Sequence, residues 1–581
     1  MHTETSQRDL KGVAKRYLWR VAQIFTLFGV LTLIHRARGV YLVESKTAFG
    51  DLYDLYPGAS QMDVIWIVYG NAITNGLQAD ILFCLCSALL LPALPRVVRI
   101  AATLALIIFY AANLEHIHYN LAHIDFGLLG LGADGTFLLA QFTEQLAIYL
   151  AVFALFAVIV AAIQWMRIGG WLSVILTVLI VPFAALPLAS FDPEDNMWLQ
   201  THPLVPTFSA SNLADDPRQF DIATPTPLAQ LPDTATRQNV LIVYLEGVSH
   251  HSIAKADMAT LRGLSDRYTT YDRYFAHQLI TANGLYATLL GDYPLFTSPD
   301  RKWSLLQADD PLTRTALPAV LRDAGYQTAF VQSADLSYMQ KDRVLPLIGF
   351  DQIAGDADID PNAARSGWGV NDMVLFDKVI ETIDGFDPHR PWMLATLTTG
   401  THSPYNVPDD FAAGENRRIR ALKFADEAVA QLLADLEARD LLDDTLVIIT
   451  SDESREAVLG SRLTGEVALN WLPLIVIEPD ALALRVSDYV VSTDLPALVM
   501  AHLDGRTFAP SQDRAIILGN IIAGRVNAFD QTSGELVSCR VSDFACLVYR
   551  GITDLGDVQG SVFVGQAMLP AFQDQIEALE E

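Results

Sequence analysis

Apolar positions change their pattern twice along the chain. Over the first 190 or so residues they run together, at 17–34, 81–94, 97–113, 146–165 and 171–191. A helix crosses the hydrocarbon core with about 20 residues, so these runs predict about five membrane spans. The run 81–94 is short by that measure and follows the semi-apolar stretch 62–79. One long helix and an interfacial helix leading into a span both fit. Residues 192–238 are rich in Pro, Thr, Asp and Ser without any period, the composition of a linker or an extended strap. From Asn239 onward, short apolar runs at 240–245, 328–331, 446–449 and 472–477 read as buried strands. Residues 317–324 and 419–439 read as amphipathic helices between them. Such alternation predicts a mostly parallel sheet with helices on both faces. The short β-rich pieces of 514–563 predict a small appended subdomain. The expected organisation is a helical membrane domain (1–191), a linker (192–238), an α/β domain (239–505) and a C-terminal subdomain (506–581).

Charge sharpens this picture. Thirty-nine Lys and Arg against 67 Asp and Glu leave a net charge of −28, which excludes nucleic acid as a partner. Charged residues are only 18% of the chain and apolar ones 51%, as expected of an apolar segment joined to an acidic soluble one. The basic residues near the runs, Arg8, Lys11, Lys15 and Arg16, then Arg96 and Arg99, then Arg167, put the N-terminus inside and everything after the fifth span outside. His35, Arg36 and Arg38 dissent from that rule. No small-residue cleavage site follows the first run, so it reads as a span rather than a signal peptide. Cys84 and Cys86 sit in an apolar run as small hydrophobes. The C-x6-C pair Cys539 and Cys546 is open to both a disulfide and two free thiols. The polar stretch 113–125 reads either as an outer-interface headgroup or acceptor site or as a helix cap.

In open α/β sheets ligands gather where strands end. Glu246 follows the strand at 240–245, and Asp452 and Glu453 follow the strand at 446–449. One such carboxylate is commonly a turn or cap residue, whereas two clusters on one sheet edge favour a hard cation.

The segments NVLIVYLEG (239–247), TANGLYATLLGDYPLF (281–296), LPAVLRDAGYQTAFV (317–331), IGFD (348–351), WGVND (368–372), TTGTHSPY (398–405) and ALKFADEAVAQLLADLEARDLLDDTLVIITSDE (421–453) occur in that order. Their set resembles the lipoteichoic acid synthase-like family of membrane phosphoglycerol and phosphoethanolamine transferases, in the alkaline phosphatase/sulfatase superfamily. The resemblance covers roughly 239–501. It implies a sulfatase-like catalytic domain in which Glu246 and Asp452 hold a metal and Thr281 is both nucleophile and metal ligand. It implies further that His402 contacts the substrate phosphate. Glu453 stands where the family usually has a histidine ligand, and its alternative partner is Arg455. The family's His-x-Asp and Trp-x-Arg run falls on QSADLSYMQK (332–341), which lacks the histidine, tryptophan and arginine. Asp335, Lys341 and Trp368 are the remaining substrate-binding candidates, with Asp372 beside them. An all-oxygen shell of Glu246, Thr281, Asp452 and Glu453 suits Mn²⁺ first and Mg²⁺ next, and Zn²⁺ less.

The chemistry so implied is transfer of a phosphoglycerol (or phosphoethanolamine) headgroup from a phospholipid donor to a glycan or other hydroxyl acceptor, through phospho-Thr281. Its expected setting is a bacterial inner membrane, with the catalytic domain in the periplasm. Two alternatives stand beside it: a metal-dependent phosphate or sulfate ester hydrolase, and a catalytically silent envelope sensor or scaffold. Thr297-Ser-Pro-Asp-Arg301 mimics the sulfatase activation motif, but its first residue is a threonine, which cannot become formylglycine.

Overall fold

The computed structural model of the chain describes residues 17–36, most of 80–120 and, short gaps aside, 215–580. Two compact units emerge, one helical and N-terminal, the other comprising essentially everything from Asn212 to Glu581.

In the helical unit, Tyr17–Arg36 forms a 20-residue helix long and apolar enough to cross a membrane. Among the described residues it is the one helix to do so; Phe83–Ala93 and Val97–Tyr110 are shorter apolar helices. The spans expected at 146–165 and 171–191, and the stretch 62–79, lie outside the described residues. Phe28, Leu31, Cys84 and Tyr110 meet in the core of this unit. The dissenting Arg36 is buried in an ion pair with Asp80, Nη2 to Oδ1 at 2.8 Å, which neutralises its charge. His35 stacks on Tyr110 at 4.3 Å.

The second unit is built on a nine-stranded sheet. Its strands are β1 (Asn239–Tyr244), β2 (Thr269–Phe275), β3 (Gln327–Gln332), β4 (Gln352–Ala354), then, beyond a small hairpin of β5 (Arg365–Ser366) and β6 (Gly369–Val370), β7 (Trp392–Leu397), β8 (Thr445–Thr450), β9 (Trp471–Leu472), β10 (Ile475–Ile477) and β11 (Arg485–Val491). The order is β11-β2-β10-β8-β1-β7-β3-β4, with β9 on β2. The stretch β8-β1-β7-β3-β4 is parallel throughout, while β10 runs antiparallel to both its neighbours. β1 is buried at every position because both faces are covered. Val240, Ile242 and Tyr244 point to one core, with α1 (Thr281–Leu290), α2 (Leu317–Asp323) and later α5 (Leu495–Leu503). Leu241 and Val243 point to the other, under α3 (Asp372–Asp384) and α4 (Arg417–Glu437). In α4, Leu422, Ala425, Val429, Leu432 and Leu436 recur at the spacing that makes one helical stripe.

The single strand expected at 472–477 is split. Pro473 has no N–H to give to a ladder, so β9 ends at Leu472 and β10 begins only at Ile475. The β-rich C-terminus is a five-stranded antiparallel meander: β12 (Ala515–Asn520), β13 (Arg525–Asp530), β14 (Glu535–Arg540), β15 (Ala545–Arg550) and β16 (Val562–Met568). Cys539 and Cys546, opposite one another on β14 and β15, form a disulfide. α6 (Pro570–Glu580) closes one face, where Phe572 meets Phe220 at 4.9 Å. The described part of the linker, from 215, is thus a strap laid on this unit; Thr236 N–H also donates to Leu503 O at 2.8 Å.

Candidate active site

The register that aligns Tyr244 with Leu397 and with Thr450 brings the ends of β1, β7 and β8 to one edge. Glu246, the loop Thr398–His402 and Asp452–Glu453 leave from those ends. One oxygen of each of Glu246, Asp452 and Glu453 lies within 4.8 Å of the others, and all three residues are buried. Thr398 Oγ1 accepts the Glu246 N–H at 3.0 Å, and Ser451 Oγ accepts the Val248 N–H at 3.2 Å, so the two carboxylate-bearing loops are locked together.

Two oxygens of this cluster, Glu246 Oε1 and Asp452 Oδ2, are buried without a hydrogen-bond partner. Burial, reinforced by the charges of Asp452 and Glu453, holds the Glu246 carboxyl well above the usual carboxylate range. Burial and the charge of Glu453 push Asp452 up to about 6. Buried acids with unpartnered oxygens call for a compensating cation, and oxygen-only donors fit a hard divalent one.

Thr281 is the first residue of α1, and its hydroxyl donates to Glu246 Oε2 at 3.3 Å. Ile280 before it sits at φ 79°, ψ 125°, a conformation that a β-branched residue rarely adopts. Strain of this kind costs about 1–3 kcal/mol and is held by the surroundings. Here the holder is Glu453, whose Oε2 accepts the Ile280 N–H at 2.6 Å. One turn into α1, Gly284 lets the Asp452 carbonyl approach to where a Cβ would stand 1.9 Å from it. The helix bearing Thr281 is therefore seated directly on the carboxylate loop.

Glu453 pairs with Arg455 without turning away from the acidic cluster. Its Oε1 accepts from Arg455 at 2.8 Å and 3.1 Å while the side chain stays within the acidic cluster. Arg455 also comes within 4.0 Å of Glu246.

The other candidates spread from the edge outward. His402 meets Trp368 at a tilted angle with ring centres 4.3 Å apart, and Trp368 meets Tyr338 edge-on at 5.3 Å. Trp368 is placed by Gly369, at φ +111°, where a Cβ would strike Ser333 O. Lys341 is 2% exposed and donates to Gln332 Oε1 at 2.8 Å. Burial brings its ammonium down to about 8, against the pull of Glu246 and Asp452. Asp372 lies beneath the His402 loop, accepting the Gly400 N–H at 2.9 Å. Asp335 is not brought in: it is exposed, and its carboxylate accepts the Ser337 N–H at 2.7 Å in a local turn. Thr297 of the activation-motif mimic is bonded to Glu580 on α6. Tyr338, inside the run 332–341, and Arg301, at the end of that motif, lie close enough to feel the charge of Glu453, and sequence reasoning singled out neither as a site residue.

Residues 238–504 match the family described as Sulfatase. Phosphoglycerol transferase I of Xanthomonas euvesicatoria pv. vesicatoria is 28% identical over 258 residues, 40% of this chain and 36% of that protein. Phosphoglycerol transferase I of Salmonella arizonae is 28% identical over 147 residues, 23% of this chain and 19% of that protein. The matched region is thus about a third or less of the length of these relatives. Among solved structures, an alkaline phosphatase superfamily protein of Vibrio parahaemolyticus is 19% identical with a TM-score of 0.49, covering 59% of this chain and 87% of that one. The lipoteichoic acid synthase LtaP of Listeria monocytogenes is 14% identical with a TM-score of 0.44, covering 60% and 93%.

Proposed function

We propose that this chain, whose residues 238–504 match the Sulfatase family and which resembles phosphoglycerol transferases over part of its length, transfers a phosphoglycerol headgroup from a membrane phospholipid to a hydroxyl acceptor. The observation that carries the reading is Thr281: its hydroxyl donates into a buried three-carboxylate cluster with two unpartnered oxygens. Glu246, Asp452 and Glu453 would hold a divalent cation, Mn²⁺ or Mg²⁺, with Thr281 beside them. When bound, that cation supplies charge for the phosphoryl oxygens and acidity for the Thr281 hydroxyl.

Thr281 Oγ attacks the phosphodiester phosphorus and diacylglycerol leaves, giving phospho-Thr281. The acceptor hydroxyl then attacks that phosphorus and frees Thr281. Glu246 Oε2 is the nearest base to the Thr281 proton, and the strained Ile280 fixes the direction in which Oγ points. His402, beside Trp368, orients the phosphate or protonates the leaving oxygen. A periplasmic catalytic unit on a multi-span anchor completes the reading. The apolar helix Tyr17–Arg36 and a disulfide of the kind that persists outside a reducing cytosol support it. Intact-mass analysis after incubation with phosphatidylglycerol and Mn²⁺ tests it: a phosphoglycerol adduct on Thr281, absent in Thr281→Ala, is expected. Full turnover by Thr281→Ala would remove the nucleophile assignment. Ester hydrolysis indifferent to any added acceptor would favour the hydrolase.

A further inference from the structure

The cationic side of the site includes a residue that the resemblance does not supply, Arg301. Arg301 is nine-tenths buried, with 9% of its surface exposed, and its Nε has no hydrogen-bond partner. Among the described residues its guanidinium enters no ion pair; the site groups whose charge it feels are Tyr338 and Glu453. Arg455 makes the contrast. It is the more exposed of the two, yet it spends its fork on Glu453. A guanidinium offers five N–H donors in a planar fork, and burying one without an acceptor is costly unless a ligand provides it.

The segment after Arg301 is fastened to the wall of the site. Trp303 Nε1 donates to Met339 O at 3.0 Å, and Arg343 reaches back to Ser304 O at 2.7 Å and Leu306 O at 2.9 Å. Those bonds hold residues 301–306 against 338–343, which carry Tyr338 and Lys341. Lys341, the second buried cation here, has one hydrogen bond and sits 5.9 Å from the Tyr338 ring. From Tyr338 the wall runs through Trp368 to His402. Counting formal charges, Glu246, Asp452 and Glu453 are balanced by Arg455, Arg301 and Lys341. A divalent cation in the acidic cluster would therefore leave the pocket positive, suited to an anionic phosphodiester and hostile to an ammonium group.

We propose that Arg301, with Lys341 behind it, is the anion-binding and headgroup-selecting element of this site. Its fork takes the non-bridging phosphoryl oxygens in the place of the arginine missing from 332–341, and its charge selects glycerol phosphate over phosphoethanolamine. This rests on the phosphoryl-transfer reading above. It assigns selection to a residue far from the family's substrate-binding run.

The test is calorimetric binding of sn-glycerol 1-phosphate and of O-phosphoethanolamine to the full chain in detergent with Mn²⁺. Thr281→Ala protein is used alongside wild type, so that binding is separated from turnover. Expected are at least tenfold tighter binding of glycerol phosphate in both proteins, a tenfold or greater loss of that binding in Arg301→Gln, and collapse of the preference. Arg301→Lys keeps the charge without the fork. It is expected to retain the preference with weakened affinity, and it serves as the readout if Arg301→Gln melts much earlier than wild type. Unchanged affinity and preference in both Arg301 variants overturn the proposal and leave the phosphoryl-transfer reading standing. A wild-type protein that binds Mn²⁺ but neither phosphate ester overturns that reading itself.

Discussion

At the scale of single residues, the site is a balance among buried charges, and Glu453 carries most of it. One of its oxygens holds the strained Ile280 N–H and the other holds Arg455. Glu453→Gln keeps the shape, removes the charge and leaves Arg455 facing a neutral amide. The expected result is divalent-ion affinity at least tenfold weaker, about 1.4 kcal/mol, measured by titrating Mn²⁺ into the metal-free protein. Unchanged affinity would reduce Glu453 to the partner of Arg455. Asp372 is a different case, since among the described residues no cation pairs with it. Burial raises its carboxyl to about 6, the Gly400 N–H offsets only part of this, and its Oδ2 is unpartnered. The folded protein therefore holds a proton there that the unfolded chain has already lost between about pH 4 and 6. Its contribution to stability is complete below pH 4 and disappears as the pH rises through 6, on the order of 3 kcal/mol in all. Asp372→Asn should cancel that slope, so the melting-temperature difference between wild type and variant should shift in the variant's favour as pH climbs from 4 to 7. Parallel curves would mean that Asp372 is ionised throughout. Glu246, Asp452 and Thr281 were legible as candidates because two follow apolar strands and all three fall in recognisable segments. Arg301 was not, because a side chain that reaches a site from a distant loop leaves no local pattern, and Tyr338 lies inside the run 332–341 without being one of the family residues sought there.

At the scale of elements, legibility followed burial for most strands, although β7, buried at every position, is not among the expected runs. β1, β3 and β8 are apolar on both faces, and the bounds of the observed strands differ from the expected runs by one residue at either end. β2 (TTYDRYF) and β11 (RVSDYVV) went unread because they lie toward the sheet's edge and keep polar residues at partly or fully exposed positions. A contact between elements is less legible still, and the one that matters most is α1 on the loop after β8. Gly284→Ala would put a methyl group where the Asp452 carbonyl now sits, so helix and loop must part. Overpacking of this kind typically costs about 1–3 kcal/mol. Because the displaced loop bears Asp452 and the displaced helix bears Thr281, Mn²⁺ affinity should fall together with the melting temperature. A variant that melts early yet binds Mn²⁺ normally would show that the loop can yield without moving Asp452.

At the scale of the whole second unit, the end of the chain governs a loop almost 300 residues earlier in sequence. Glu580 on α6 accepts the backbone N–H groups of Phe296 and Thr297 and the Thr297 hydroxyl. Lys302 Nζ donates to Leu579 O at 2.6 Å and to Asp292 at 3.2 Å. These bonds bracket Arg301, so α6, itself packed on the C-terminal sheet through Phe572 and Ile576, acts as a clamp on the segment that presents the guanidinium. No carboxylate of the acidic cluster touches α6. The clamp should therefore be separable from the metal site, and Glu580→Ala is the variant that separates them. It strands two backbone N–H groups and a hydroxyl, each of which can turn to water once the loop loosens, so a modest stability loss of about 1–3 kcal/mol is expected. Mn²⁺ affinity should stay at the wild-type value while KM for the phospholipid donor rises several-fold and kcat changes less, because a mobile Arg301 binds the headgroup poorly but leaves Thr281 and its carboxylates in place. Loss of Mn²⁺ binding in Glu580→Ala would instead mean that α6 supports the sheet edge as a whole, and an unchanged KM would mean that the loop keeps Arg301 in position unaided.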